Sequence, residues 1–114
     1  MSLSINSKFE NGVTIISIEG EITFENSAQF REKIDEECKT GHYNMVIDLI
    51  GLKYMSSAGM GVLVHGLKQT RSNNGDLRLV NLSDKMHRVF LITQFTNNFK
   101  IYKTLEEAVN SFTA

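Results

Sequence analysis

The residues that could take part in chemistry lie in one short run of serines and glycines near the middle of the chain. The run consists of Ser56, Ser57, Ala58, Gly59, Met60 and Gly61, and it falls where a strand pattern gives way to a helical one. A helix N-terminus carries unpaired backbone N–H groups and the positive end of the helix dipole, so it stabilises an anion. A phosphate on Ser57 would be well accommodated there, and the glycines would let a partner's backbone come close.

A purely structural interpretation of the same run is also open. Ser56 or Ser57 can serve only as the N-cap of the helix. Gly59 and Gly61 can serve only to relieve crowding between the helix and the sheet. The pattern by itself is common at helix starts, so it does not decide between a structural and a functional role.

Nucleophilic catalysis is a third interpretation, and the positions of the histidines argue against it. A serine nucleophile needs a base, usually histidine, within hydrogen-bond reach. His65 lies about two turns beyond Ser57 on the same predicted helix, so its ring cannot easily reach back. His42 falls in a predicted turn and His87 on the predicted surface of another helix, and no set of residues has metal-ligand spacing. We therefore predict no enzymatic activity, no catalytic residue, no metal and no cofactor.

Composition narrows the class of protein further. The net charge is −1 and 41% of the residues are hydrophobic, which predicts an ordinary folded core without the basic excess that nucleic-acid or membrane surfaces need. Because the basic excess is missing, we predict no direct nucleic-acid binding. Because there is no long apolar run, we also predict no membrane insertion. The single cysteine, Cys38, excludes an internal disulfide and makes a cytoplasmic setting the default expectation.

The elements that position the serine–glycine run are predicted from periodicity. Alternating and β-branched apolar patterns predict strands at residues 4–9, 13–19, 45–49, 76–82 and 99–102. Four helical patterns intervene: one capped by Ser27 and ended by Gly41, one from Ser57 to about Asn73, one capped by Ser83, and one that begins with a capping box at Thr104. The chain therefore predicts a single α/β domain over residues 1–114, with a mixed sheet of four to five strands and about four helices.

Each predicted helix has an apolar face that should pack on the sheet. These faces consist of Ala28, Phe30, Ile34 and Cys38; Met60, Leu63, Val64 and Leu67; Met86, Val89, Phe90 and Ile92; and Ala108, Val109 and Phe112. The strand at residues 45–49 is almost wholly apolar, a pattern typical of a strand covered on both faces.

Several segments together resemble bacterial anti-sigma factor antagonists of the STAS domain class. They are residues 46–61, 75–83 and 88–93, with a Gly-Glu-Ile turn at residues 20–22. The resemblance covers nearly the whole chain and implies the STAS fold. It also implies a partner switch. In that family the unphosphorylated domain binds an anti-sigma factor that is a serine kinase. Phosphorylation of a serine at the start of the second helix breaks the complex, and a serine phosphatase restores it. Ser57 matches that acceptor.

Two positions depart from the family pattern. The family usually has aspartate directly before the phosphorylated serine, where this chain has Ser56, and again after the Gly-Glu-Ile turn, where it has Thr23. Both differences remove negative charge near Ser57 and leave Ser56 as a second candidate acceptor. The resemblance implies a partner-binding surface, in a monomer or weak dimer, that is formed by Thr23, Ser56, Ser57, Ala58, Gly59, Met60 and Gly61.

Two related functions stay open at this point. Some members of the STAS class are unphosphorylated scaffolds or sensor modules. Others are accessory modules of lipid or anion transport systems. Neither would need a phosphoryl group on Ser57.

Overall fold

The computed structural model describes residues 3–94 and 97–113, and its elements follow the predicted β-β-α-β-α-β-α-β-α order. The strands are β1 (Leu3–Glu10), β2 (Val13–Ile22), β3 (Asn44–Met55), β4 (Asp76–Val80) and β5 (Ile101–Tyr102). The helices are α1 (Ser27–Lys39), α2 (Ser57–Arg71), α3 (Asp84–Ile92) and α4 (Leu105–Asn110).

Within the described residues the strands form one five-stranded sheet in the order β1-β2-β3-β4-β5. β1 and β2 are antiparallel and are joined by a tight turn in which Asn11 and Gly12 have φ angles of 55° and 77°. Positive φ at both positions is what a two-residue hairpin requires. The other three pairings are parallel, so the prediction of a mixed sheet is confirmed.

The largest difference from the sequence prediction is the length of β3. The apolar run ends at Leu49, but the strand continues to Met55, and β2 likewise continues to Ile22. The two extensions pair with each other up to Ile22 opposite Met55, and the register shifts between Ser17 and Glu19 and again between Gly20 and Glu21, each time with the extra residue on β3. Residues 50–55, which lie beyond the predicted strand, therefore belong to β3, because a neighbouring strand satisfies their backbone groups although their side chains are mixed.

Several element ends also differ from the prediction. β4 stops at Val80 because Asn81 adopts a φ of 63°, outside the strand region. β5 contains only the last two of its predicted residues, and α2 ends at Arg71 rather than near Asn73. Gly41, with a φ of 83°, follows the C-cap of α1 as predicted.

The helix caps were mostly predicted correctly. The hydroxyls of Ser83 and Thr104 accept hydrogen bonds from the third residue beyond each of them, as expected for N-caps. Ser27 is not a cap, because α1 begins at Ser27 and Asn26 holds the N-cap position.

Two cores cover the two faces of the sheet. The larger core lies between the sheet and α1, α2 and α3, and the smaller core lies under α4. β3 contributes Met45, Ile47 and Leu49 to the larger core and Val46 to the smaller one, so it is covered on both faces as predicted. The smaller core also contains Val13, Ile15, Val80, Ala108 and Val109.

Three predicted packing residues are exposed instead. Ala28 lies on the solvent side of α1, and Val89 and Ile92 of α3 are 37% and 82% exposed. α3 is short and contacts the core mainly through Met86 and Phe90. Apolar type alone did not distinguish these positions, because an apolar residue does not have to be buried.

An ion-pair cluster fixes the far end of α2 to β4. Asp76, which is 7% exposed, accepts hydrogen bonds from Arg71 Nε and Arg78 Nε, both at 2.9 Å. Arg78 also donates to Ser111 Oγ and lies 4.0 Å from the centre of the Phe112 ring. Burial alone would raise the pKa of Asp76, but the hydrogen bonds and charges of the two arginines outweigh it and lower that pKa.

Replacement of Asp76 by asparagine should reduce the free energy of unfolding by about 3 kcal/mol at neutral pH, since it leaves Arg78, whose side chain is 12% exposed, without a carboxylate. Because the pKa of Asp76 is lowered on folding, its contribution is present above the unfolded value of about 3.9 and is lost as the pH falls below that value. Urea unfolding of both proteins between pH 7 and pH 3 would measure this difference.

Glu36→Gln is the matched control for that change, because Glu36 pairs with Lys33 at 3.6 Å on the surface of α1. It should change stability by no more than about 0.5 kcal/mol. If the difference in the free energy of unfolding between wild type and Asp76→Asn stays constant down to pH 3, the lowered pKa of Asp76 is contradicted.

Candidate functional site

The start of α2 is fixed by backbone hydrogen bonds at the end of the β2–β3 pair. The Ser56 N–H donates to Ile22 O at 2.8 Å, which continues the sheet pairing by one more bond. Ser56 is the N-cap, with extended backbone angles, and its Oγ accepts from the Gly59 N–H at 3.3 Å. The structural interpretation is therefore correct for Ser56, whose hydroxyl is engaged.

Ser57 is placed differently although it is the next residue. It is the first residue of α2, its side chain is exposed, and its hydroxyl makes no hydrogen bond to any of the described residues. The first turn of α2 contains no acidic residue. A group attached to the Ser57 oxygen would therefore lie at the positive end of a 15-residue helix, without a carboxylate in that turn to repel it.

Thr23 lies in a turn that is held just as firmly, between β2 and α1. The Thr23 N–H donates to Asn26 Oδ1 at 2.7 Å, and the Asn26 N–H donates to Thr23 Oγ1 at 3.3 Å. Asn26 Nδ2 also donates to Glu21 O at 3.0 Å. Thr23 directly follows Ile22, whose carbonyl accepts from Ser56, so this turn and the start of α2 are neighbours.

The two glycines of the run have different environments. Gly59 is buried, and a Cβ there would come within 2.6 Å of Met55 Cγ and 2.8 Å of Ile22 Cγ2. Gly61 is exposed, and a Cβ there would meet no atom within 4 Å. Relief of crowding explains Gly59 and does not explain Gly61.

The predicted partner-binding residues are therefore only partly accessible. Ser57 and Gly61 are exposed, and Thr23, Ser56 and Ala58 are half-buried. Gly59 and Met60 face the larger core, and Met60 is 7% exposed. The accessible part of the run is the outer face of the first turn and a half of α2.

Sequence reasoning missed three exposed apolar side chains on the extension of β3 and in the turn that follows β2. Phe24 is 80% exposed in the turn that Thr23 begins, and Ile50 and Tyr54 on the extension of β3 are 75% and 47% exposed. The available signal was Phe24 itself, a large apolar residue next to turn-forming residues. Ile50 and Tyr54 could be assigned only once β3 was known to extend to Met55.

Two of the histidines and the cysteine make contacts away from Ser57, and His87 is exposed on α3 as predicted. His65 Nε2 lies 2.8 Å from Asp35 Oδ1 and links α2 to α1, and His42 Nδ1 lies 3.1 Å from Glu37 Oε1. Burial raises the pKa of the Cys38 thiol, and the nearby Asp35 and Glu37 charges raise it further, so the thiol stays protonated at neutral pH. No group of three or more metal-binding side chains was found in the described parts of the chain.

The family of the chain follows from its sequence and its fold together. The sequence pattern of the STAS domain matches residues 4–108. The chain belongs to the STAS domain family. This STAS protein is 32% identical over 111 residues to the anti-sigma-B factor antagonist of Listeria monocytogenes, and the alignment covers 96% of each protein. It is therefore a member of the anti-sigma factor antagonist group, which consists of regulatory binding proteins and not enzymes.

Solved structures of the same group share the fold. An anti-sigma factor antagonist homologue from Thermotoga maritima superposes with a TM-score of 0.91 at 27% identity, covering 96% of this STAS protein and 95% of the other chain. The Bacillus protein SpoIIAA, at 21% identity, superposes with TM-scores of 0.75 in its unphosphorylated form and 0.74 in its phosphorylated form. SpoIIAA covers 98% and 97% of this STAS protein in the two comparisons, so the predicted STAS fold is confirmed. Among the described helices, none has the length and apolar character needed to cross a membrane.

The two serines should respond differently to truncation. Ser56→Ala removes the cap acceptor of α2 and should lower the free energy of unfolding by about 1 kcal/mol. Ser57→Ala removes an exposed, unbonded hydroxyl and should change stability by less than about 0.5 kcal/mol. Urea titration of both variants tests this, and an equal loss in the two would mean that Ser57 has a structural role.

The two glycines should respond with opposite signs. Gly59→Ala overpacks the contact with Met55 and Ile22, at a cost of about 1–3 kcal/mol that outweighs the gain in helix propensity of up to about 1 kcal/mol. Gly61→Ala gains the helix propensity without a clash and should be more stable by about 0.5–1 kcal/mol. Thermal unfolding of the two variants measures the difference, and a lower melting temperature for Gly61→Ala would contradict the open environment of Gly61.

Proposed function

We propose that this STAS protein is an anti-sigma factor antagonist that binds an anti-sigma factor kinase and is released when that kinase phosphorylates Ser57. The observation that carries the proposal is the exposed, unbonded hydroxyl of Ser57 at the first position of α2, beside a cap serine whose hydroxyl is engaged. The anti-sigma-B factor antagonist of Listeria monocytogenes supports the type of partner, because it matches over nearly the whole of both chains.

The fold neighbours support phosphorylation as the means of control. SpoIIAA has the same fold in an unphosphorylated and in a phosphorylated form, so this architecture can carry a phosphoryl group without changing its overall arrangement. In the proposed cycle a serine phosphatase would remove the group and restore binding. Both steps are expected to take place in the cytoplasm.

The physical effect of the phosphoryl group would differ between the free protein and the complex. In the free protein the group adds about −1.5 to −2 charges at the positive end of α2, where the helix dipole stabilises them. In the complex it would lie within a surface that also presents Phe24 and Tyr54, so a charged group would have to lose its hydration. The modification would thus weaken the complex while leaving the fold intact.

Ser56 is the less suitable acceptor for the same switch. Its hydroxyl accepts the Gly59 N–H, and its backbone N–H joins the sheet through Ile22 O. A phosphoryl group on the Ser56 oxygen would be attached to the atom that caps α2. Phosphorylation at Ser56 would therefore disrupt the helix start, whereas phosphorylation at Ser57 would not.

The replacement of the two family aspartates by Ser56 and Thr23 is compatible with this proposal. In both places a hydroxyl oxygen accepts a backbone N–H from the third residue onward, and an aspartate oxygen could make the same bond. The caps are kept and only the negative charges are lost. A phosphoryl group on Ser57 would meet less repulsion as a result, which favours the phosphorylated state.

Incubation with the anti-sigma factor kinase of the source genome and Mg²⁺-ATP, followed by mass spectrometry, should detect one phosphoryl group on the peptide that contains Ser57. Ser57→Ala should abolish it, and Ser56→Ala should retain it as the matched control. Ser57→Asp should weaken kinase binding at least about tenfold, since it places a charge in the same surface. Isothermal titration calorimetry would measure the affinities.

Unmodified Ser57 with kinase binding intact would contradict the phosphorylation step and leave the scaffold function. A lipid or nucleotide that stays bound through purification, seen by native mass spectrometry, would favour the transport-accessory function. If the kinase neither binds nor phosphorylates the protein, the proposal is wrong.

A further inference from the structure

Gly61 is a helix residue that the interior of this protein does not require. It is exposed in the second turn of α2, and a Cβ at this position would meet nothing within 4 Å. A glycine within a helix costs roughly 0.5–1 kcal/mol relative to alanine. Gly59 and Gly66 in the same helix are different, because a Cβ at either would collide with core side chains at 2.6 Å.

The geometry of the helix relates Gly61 directly to Ser57. Residues four apart lie on the same face, about 6 Å apart along the helix axis. Every Cα–Cβ bond in a helix tilts toward the N-terminus, so a side chain covers the turn before its own Cα. A side chain at position 61 would extend over the turn that begins with Ser57 and would cover the Ser57 hydroxyl.

The requirement for an uncovered Ser57 comes from the chemistry of phosphoryl transfer. The accepting oxygen and the phosphorus it attacks must come within about 3–3.5 Å. A folded acceptor protein has to bring its whole surface around the serine up to the kinase's active site. For a serine on a rigid helix, the next turn of the same face is the surface that the kinase's backbone must approach.

An exposed aromatic side chain, Phe24, lies in the turn next to the start of α2. The reciprocal bonds between Thr23 and Asn26 fix the turn that carries Phe24, and Ser27 Oγ donates to Phe24 O at 3.3 Å. The turn is therefore rigid while the Phe24 ring is 80% exposed. Aromatic side chains are frequent among the residues that dominate interface energy, and a backbone that is fixed before binding lowers the entropy cost of association.

We infer that Gly61 and Phe24 determine which kinase this STAS protein accepts: Gly61 is a gap that receives the main chain at the rim of the kinase's active site, and Phe24 is an apolar anchor in the turn next to the start of α2. This inference rests on the proposed function and adds the contact residues to it. The occupant is the kinase, because the surface surrounds the hydroxyl that the kinase has to reach.

The decisive variant is Gly61→Leu in the full chain, with Lys68→Leu as the matched control. Lys68 is exposed on the same helix, about 16 Å along its axis from Ser57, so the control adds the same side chain away from the acceptor. Gly61→Leu should lower the affinity for the kinase at least about tenfold, measured with ADP in place of ATP so that no phosphoryl transfer occurs. The same variant should slow the phosphorylation of Ser57 by a larger factor. Lys68→Leu should leave both unchanged.

A graded pair of variants separates binding from folding. Gly61→Ala should raise the melting temperature and still weaken kinase binding, and a merely structural glycine would not give this combination. Phe24→Ala should weaken kinase binding by about tenfold, whereas Phe9→Ala should not. Phe9 is also exposed, at 52%, but lies at the hairpin end of β1.

The outcomes distinguish this inference from the proposed function. If the kinase binds and phosphorylates wild type and Gly61→Leu equally well, the role inferred for Gly61 is wrong and the proposed function stands. If Phe24→Ala binds the kinase as tightly as wild type does, the role inferred for Phe24 is wrong. If the kinase does not bind wild type at all, the proposed function fails first. Sedimentation of the protein alone would show whether Gly61→Leu instead disrupts an association between two copies, which would also overturn the inference.

Discussion

The parallel pairing of β2 with β3 is the constraint on which the rest of the site depends. The two strands stay paired to Ile22 and Met55, well beyond the point where β4 ends at Val80. The last link is the Ser56 N–H bonded to Ile22 O. This bond fixes the residue at which strand geometry stops and helix geometry begins, and a helix that began one residue later would have Ser57 as its cap instead of Ser56.

Neighbouring residues acquire separate roles from that boundary. Ser56 becomes a cap whose hydroxyl is engaged, and Ser57 becomes a helix residue whose hydroxyl is exposed. Gly59 turns inward against Met55, and Gly61 turns outward into open space. The short run thus has one side that closes the core and one side that is available to a partner. Residues on the first side are constrained by the stability of the fold, whereas residues on the second side can vary with the partner.

A charge switch on such a rigid platform need not deform the protein. The helix start tolerates an anion, and at Ser56 and Thr23, where the family usually has carboxylates, hydroxyls retain the caps without charge. The free energy of the switch would then come from the partner's surface, where a phosphoryl group has to be desolvated. The cluster of Asp76 with Arg71 and Arg78 holds the other end of α2 against the sheet, so the helix is fixed at both ends.

The sequence by itself determined the order of the elements, the mixed sheet, the caps at Ser83 and Thr104 and the family resemblance, because periodicity and cap chemistry are local properties. Only the tertiary structure decided that β3 reaches Met55, since a strand of mixed side chains is stabilised by the strand beside it. It also decided which serine is engaged and which glycine is crowded. Those outcomes depend on Ile22 of β2, which is distant in the sequence from α2, and on the residue at which β3 ends, and no pattern within the run Ser56–Gly61 contains them.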